Sequence, residues 1–172
     1  MLLGLALLAP AACSTERDEP SAGRVEPVGD GLFSGGYGTE EAPYLIASAS
    51  DLKLLSVLSN SPDSARYAVC HFEQSADIDM SGVEDFVPLF QSSPGSFYGS
   101  FNGKSHRISG LKIRSSVQKP CGFFATLKNA RVEHLILTGI DVDAEYVFCG
   151  ALAGRMWNST LSDCLASWKI RQ

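Results

Sequence analysis

The chain has 172 residues, 45% of them hydrophobic and 19% charged, with a formal net charge of −5. That length holds one domain plus a targeting segment, and an acidic balance without a Lys/Arg cluster excludes the basic stripe that nucleic-acid binding requires. Sixteen glycines, with abundant Ser, Asn and Asp, favour short strands and tight turns over a helical bundle.

Residues 2–12 form an apolar run, LLGLALLAPAA, that ends at Cys13. A bilayer span takes about 20 helical residues, so this run has the length of a signal-peptide core. Cys13 directly after Ala11-Ala12 resembles the lipobox of bacterial lipoproteins. By that resemblance residues 1–13 are a leader, Cys13 is lipidated, and the protein is anchored to the membrane in the cell envelope or on the outer surface. Plain cleavage near Ala12 would leave it secreted instead. Residues 14–30, STERDEPSAGRVEPVGD, bury almost nothing and read as a flexible polar tether.

The body, 31–172, opens with a glycine-rich turn at 35–38 and a short strand at 43–46. A helix follows, with Ser50 as N-cap, Asp51 in its first turn and an apolar stripe of Leu52, Leu55 and Leu58. Asn60 and Pro62 end it. A lone amphipathic helix before a run of strands is expected to lie as a lid over their first apolar edge. Strands are expected at 67–72 and at 76–80, the latter with Ile78 and Met80 inward. The segment 86–89 is placed near the surface, because Pro88 cannot donate in a central ladder. Asn102-Gly103 is the strongest turn signal in the chain.

Three stretches then share one apolar signature: Ile108-x-x-Leu111-x-Ile113, Val132-x-x-Leu135-x-Leu137 and Leu161-x-x-Cys164-x-Ala166. A period of twenty-odd residues built on short strands points to a stacked, all-β solenoid, each coil sheltering the apolar face of the next. No polar cap is evident after the third signature. The C-terminal end is therefore expected either to continue into further coils or to self-associate coil to coil.

The order Phe33-Ser34-Gly35-Gly36, Pro43-Tyr44-Leu45-Ile46, the Asp51-Leu52 helix, Asp77-Ile78-Asp79 and Phe97-Tyr98-Gly99-Ser100-Phe101-Asn102-Gly103 resembles bacterial surface proteins with GLUG-type repeats. Gly122-Phe123-Phe124-Ala125 and Gly150-Ala151-Leu152-Ala153-Gly154 match the repeat itself. The resemblance covers residues 33–168. It implies a right-handed parallel β-helix with one N-terminal capping helix, on an exported, adhesin-like protein.

Chemistry is faint beside architecture. Asp77 and Asp79 lie two apart on an expected strand and so share a face. They form an acidic pair suited to polysaccharide lyase or hydrolase work, or the solvent side of an alternating strand. Asp141 and Asp143 repeat the pattern. His71, His106 and His134 have no nucleophile elbow beside them. Phe97, Phe101, Phe123 and Phe124 read as core, whereas Tyr98, Trp157 and Trp168 are candidates for ligand contact. Cys121-Gly122 recurs as Cys149-Gly150, so Cys121 and Cys149 are expected to stack as thiols on adjacent coils. No metal ligand set and no cofactor motif is found, and no cluster of charged residues is seen at stacked stations. These readings favour a non-catalytic surface protein that contacts extracellular polysaccharide or a host surface. An enzyme on the same fold and a fragment of a larger adhesin are the alternatives.

Overall fold

A computed structural model describes residues 30–171, except 85, 93–94, 116–118 and 145–147. The leader with Cys13, and all of the tether but Asp30, lie outside the described residues. In chain order the elements are β1 (Tyr44–Ile46), α1 (Ala49–Ser59), α2 (Ser64–Tyr67), β2 (His71–Gln74), β3 (Ile78–Asp79), β4 (Ser100–Asn102) and β5 (Arg107–Ser109). There follow β6 (Lys112–Ser115), β7 (Phe124–Lys128), β8 (Arg131–Glu133), β9 (Ile136–Ala144), β10 (Ala153–Trp157), β11 (Thr160–Ser162) and β12 (Leu165–Arg171). The protein is mainly β, and its sheets are parallel.

One sheet runs β1-β2-β4-β8-β11, a second pairs β7 with β10, and a third runs β3-β5-β9-β12 with β6 also on β9. In the first sheet Tyr44 lies beside Phe72, His71 beside Ser100, Ser100 beside Arg131, and Arg131 beside Thr160. Partners are thus 28 to 31 residues apart in sequence (44 to 72, 71 to 100, 100 to 131, 131 to 160). Each successive stretch of that length adds a strand to the first sheet; the first stretch then gives α1 and α2, and the later ones supply strands to the other sheets.

The interior follows from strand alternation. Phe72, Phe101 and Val132 are in register and fully buried. An aromatic column runs beside them: Phe33 to Tyr44 at 4.9 Å, Phe72 to Phe97 at 6.0 Å, Phe97 to Phe124 at 5.3 Å. Tilted and offset rings at these separations favour one another beyond the area they bury.

Register corrects the repeat alignment. Val132 does pair with Leu161, but the station before them is Phe101, not Ile108. Ile108 pairs with Ile78 and Leu137 in the third sheet. The apolar i, i+3, i+5 pattern marks a chain that bends between two strands, and several bends share it. Ile108-x-Gly110-Leu111-x-Ile113 is the counterpart of Leu137-x-Gly139-Ile140-x-Val142. Both glycines take positive φ, +68° and +63°, where a side chain would be strained.

The first helix begins two residues earlier than expected. Ser48, not Ser50, is its N-cap, in a reciprocal capping box with Asp51. Buried Asp51 also accepts from Ser34 Oγ at 2.7 Å and from the Ala47 N–H at 3.0 Å. That hub ties the helix start to the glycine-rich entry. The strand expected at 67–72 is displaced: Tyr67 ends α2, and β2 begins at His71. The segment at 86–90 is not superficial. Phe86, Leu89 and Phe90 are buried under α1, whose Ser56 Oγ donates to Val87 O at 2.7 Å and whose Asn60 Nδ2 donates to Pro88 O at 3.0 Å. Pro88 fits there because side chains of the helix and its C-cap meet the Val87 and Pro88 carbonyls, while the neighbouring Phe86 and Leu89 bridge to Ile113 and Phe124.

At the other end, β10, β11 and β12 are the outermost described strands of their sheets. Leu161 is 38% exposed although its register partner Val132 is fully buried.

Candidate functional site

Side chains of the first sheet that point away from the core line a groove of about 410 Å³. Because Phe72, Phe101 and Val132 point inward, strand alternation sends their neighbours outward. His71, Ser100 and Arg131 make one row, and Glu73, Asn102 and Glu133 the next. Neighbouring strands are about 4.8 Å apart, so each row presents a polar group at that fixed interval. Glu40, Tyr98 and Asn129 also line it.

The groups are held rather than loose. His71 Nδ1 and Ser100 Oγ are hydrogen-bonded at 2.7 Å. Lys104 Nζ stands 3.3 Å from Glu73 Oε2, and Arg131 Nε 3.6 Å from Glu133 Oε1. Ser162 Oγ also donates to Glu133 at 3.4 Å. Lys128 Nζ sits 6.0 Å from the centre of the Tyr98 ring, at the limit of a cation–π contact. Such an array offers donors, acceptors and both charge signs along a straight edge.

Tyr98 and Trp157 are brought onto one exposed stripe. Phe97 bridges to Leu127 and Lys128 pairs with Trp157, so Tyr98, Lys128 and Trp157 follow one another across the strands. Trp157 is 69% exposed. Trp168 lies apart, in a second groove of about 380 Å³ with Gly139, Asp141 and Lys169.

Asp77 and Asp79 are exposed, and each is occupied by backbone. Asp77 Oδ1 accepts from the Arg107 N–H at 2.8 Å and meets His106 Nδ1 at 3.3 Å. The backbone bond first, then His106, holds its carboxyl below the ordinary range. Asp79 Oδ1 accepts from the Ser81 N–H at 2.9 Å, which lowers it likewise. Both are poor proton donors in this setting. Only Asp79 is in β3; Asp77 precedes it. His134 stands 3.6 Å from Asp163 at a corner where both residues have positive φ. Cys121 and Cys149 face each other across an isolated parallel bridge with their Sγ atoms 2.7 Å apart.

Charged residues do gather at stacked stations, contrary to the expectation from sequence. Arg114 Nη2 reaches Asp141 Oδ2 at 3.0 Å, and Lys112 pairs with Glu84. Arg107, Lys112 and Arg114 belong to regular strands. The outward face of His71 and Glu73 follows from β2 starting at His71, four residues later than the strand start expected at 67. Among the described residues no group of three or more His, Cys, Asp or Glu is placed to hold a metal ion. Among the same residues no helix is long and apolar enough to cross a membrane.

No protein-family model matches the chain. It is 32% identical over 134 residues to a protein of Evansella cellulosilytica provisionally named a Gly-rich membrane protein, covering 72% of this chain and 14% of that one. It is 26% identical over 133 residues to halomucin of Haloquadratum walsbyi, covering 74% of this chain and 2% of that one. The chain thus spans a small part of the curated relatives it matches. Among solved structures, a candidate immunoglobulin A1 protease from Bacteroides ovatus superposes with a TM-score of 0.64 at 23% identity, over 81% of this chain and 41% of that one. At that identity the likeness is one of fold.

Proposed function

We propose that this chain is a piece of an exported cell-surface protein, folded as a right-handed parallel β-helix of the GLUG-repeat type, whose first-sheet groove binds extracellular polysaccharide without turning it over. One observation carries the reading: two in-register rows of polar side chains, His71-Ser100-Arg131 and Glu73-Asn102-Glu133, run side by side along a strand stack with Tyr98 at their edge. A repeating ligand suits a receptor whose hydrogen-bonding groups recur at the strand interval. Rigid strands also lose little entropy on binding. The relatives named as a Gly-rich membrane protein and as halomucin support an envelope location. The leader supports attachment through a lipid on Cys13.

Binding is favoured over catalysis because the carboxylates are engaged. Lys104 and Arg131 stand beside Glu73 and Glu133 as ion-pair partners. A glycoside hydrolase needs one carboxyl that keeps its proton. Asp77 and Asp79 fail the same requirement.

Affinity electrophoresis through gels cast with a panel of acidic and neutral polysaccharides tests the reading. The parent is expected to be retarded by at least one of them. Glu73→Gln, Arg131→Ala and Tyr98→Ala should each weaken that retardation about tenfold, near 1.4 kcal/mol, while Trp168→Ala in the second groove leaves it unchanged. Equal retardation of all four variants, or none for the parent, would contradict it. Release of sugar by the parent would favour the enzyme reading instead. Metabolic labelling with palmitate is expected to tag the parent and leave Cys13→Ala unlabelled.

A further inference from the structure

The second sheet begins where two cysteines meet. Cys121 N–H donates to Phe148 O at 3.0 Å and Gly150 N–H donates to Cys121 O at 3.0 Å, so the two backbones are bound on both sides of the bridge. The Sγ atoms lie 2.7 Å apart. In-register parallel strands usually hold Cβ atoms slightly too far apart for a disulfide. Here the register slips by one residue just beyond the bridge: Cys121 lies opposite Cys149, but Phe124 lies opposite Ala153. That irregularity lets the side chains close.

Glycines fix the approach. A Cβ on Gly122 would come within 2.6 Å of Gly150 O, and one on Gly154 within 2.5 Å of Cys121 N. Bulkier residues there would push the two segments apart. The other described cysteines show no such pairing: Cys70 Sγ donates to Arg66 O at 3.1 Å and Cys164 Sγ to Ser162 O at 3.3 Å.

We infer that Cys121 and Cys149 are a disulfide-forming pair that fastens the stretch carrying β10 to the stretch carrying β7. The oxidant is an external disulfide. The Cys149 thiolate, on the less buried of the two residues, attacks it and forms a mixed disulfide, releasing one thiol. Cys121 then gives up its proton and attacks Cys149 Sγ, expelling the second thiol. Two S–H bonds of the protein become one S–S bond, and the external S–S bond becomes two S–H bonds. The order of events follows from burial, which together with the Cys149 contact pushes the Cys121 thiol up to about 12 and makes it a poor first attacker. The inference is independent of the groove and of where the protein resides.

Peptide mapping of the full chain tests it. The purified protein is equilibrated with glutathione buffers of increasing oxidised fraction, quenched in acid, alkylated after unfolding and cut with trypsin. Lys128 and Arg131 lie between the two cysteines, so the enzyme separates them. The expected product is a linked pair of peptides holding Cys121 and Cys149, with Cys70 and Cys164 alkylated. A Cys70→Ser/Cys164→Ser variant should give the same link, and Cys149→Ser should leave Cys121 alkylated. Alkylation of both cysteines in the most oxidising buffer, separate glutathione adducts on each, or a link from either one to Cys70 or Cys164 would overturn the proposal.

Discussion

Leu135 and Leu161 are chemically identical and physically unlike. Leu135 is fully buried, and truncating it to Ala removes transfer energy and leaves a cavity, a loss of about 2–5 kcal/mol. Leu161 already keeps 38% of its surface in solvent, so Leu161→Ala should cost about 1 kcal/mol. Urea unfolding of both variants checks the contrast, and equal losses would place Leu161 in a covered core. Asp77 makes a different residue-scale prediction. Its carboxyl is depressed in the folded state by the Arg107 N–H and His106. The stability it contributes is therefore complete above the unfolded value of about 4 and fades as pH falls through the folded value. Parent and Asp77→Asn should differ most in urea midpoint near about pH 6, and the gap should shrink near about pH 3. The inward aromatics Phe97, Phe101, Phe123 and Phe124 were legible from sequence, because large apolar rings have few other places to go. His71 and Glu73 were not: their outward direction depends on a strand start that an apolar run at 67–70 disguised.

The elements hold together through ends and corners. Ser48 and Asp51 close the first turn of α1, and Ser48→Ala should cost about 1 kcal/mol. Asp51→Ala should cost more, since Ser34 Oγ and the Ala47 and Ser48 N–H groups all lose an acceptor. Thermal melts of the two variants rank them. An oxidised Cys121–Cys149 link would close a loop of 28 residues and stabilise the fold by about 3–4 kcal/mol in the chain-entropy description. Sequence showed that a repeat exists but misplaced its first member. The reason is that bends, not strands, carry the apolar i, i+3, i+5 pattern. The better marker is conformational: Asn129 and Asn158 both take positive φ, 29 residues apart, and Asn158 Nδ2 donates to Asn129 Oδ1 at 2.7 Å. Asn tolerates that region better than other non-glycine residues, so paired asparagines before strands β8 and β11 signal the corner.

Over the whole molecule, one polar face and one apolar interior arise from the same register. Inward stations stack Phe72, Phe101 and Val132; outward stations one residue away stack His71, Ser100 and Arg131. A slip of one residue in any strand would exchange the two sets, which is why groove and core stand or fall together. The described outermost strands β10, β11 and β12 extend this order to the other end, where Met156, Leu161 and Trp168 remain exposed. Nuclear Overhauser spectroscopy on labelled protein tests the shared register most directly. Cross-strand contacts are expected to link Phe101 with Val132 and Val132 with Leu161, and separately Ile108 with Leu137. Contacts joining Ile108 to Val132, or none between segments about 29 residues apart, would contradict it.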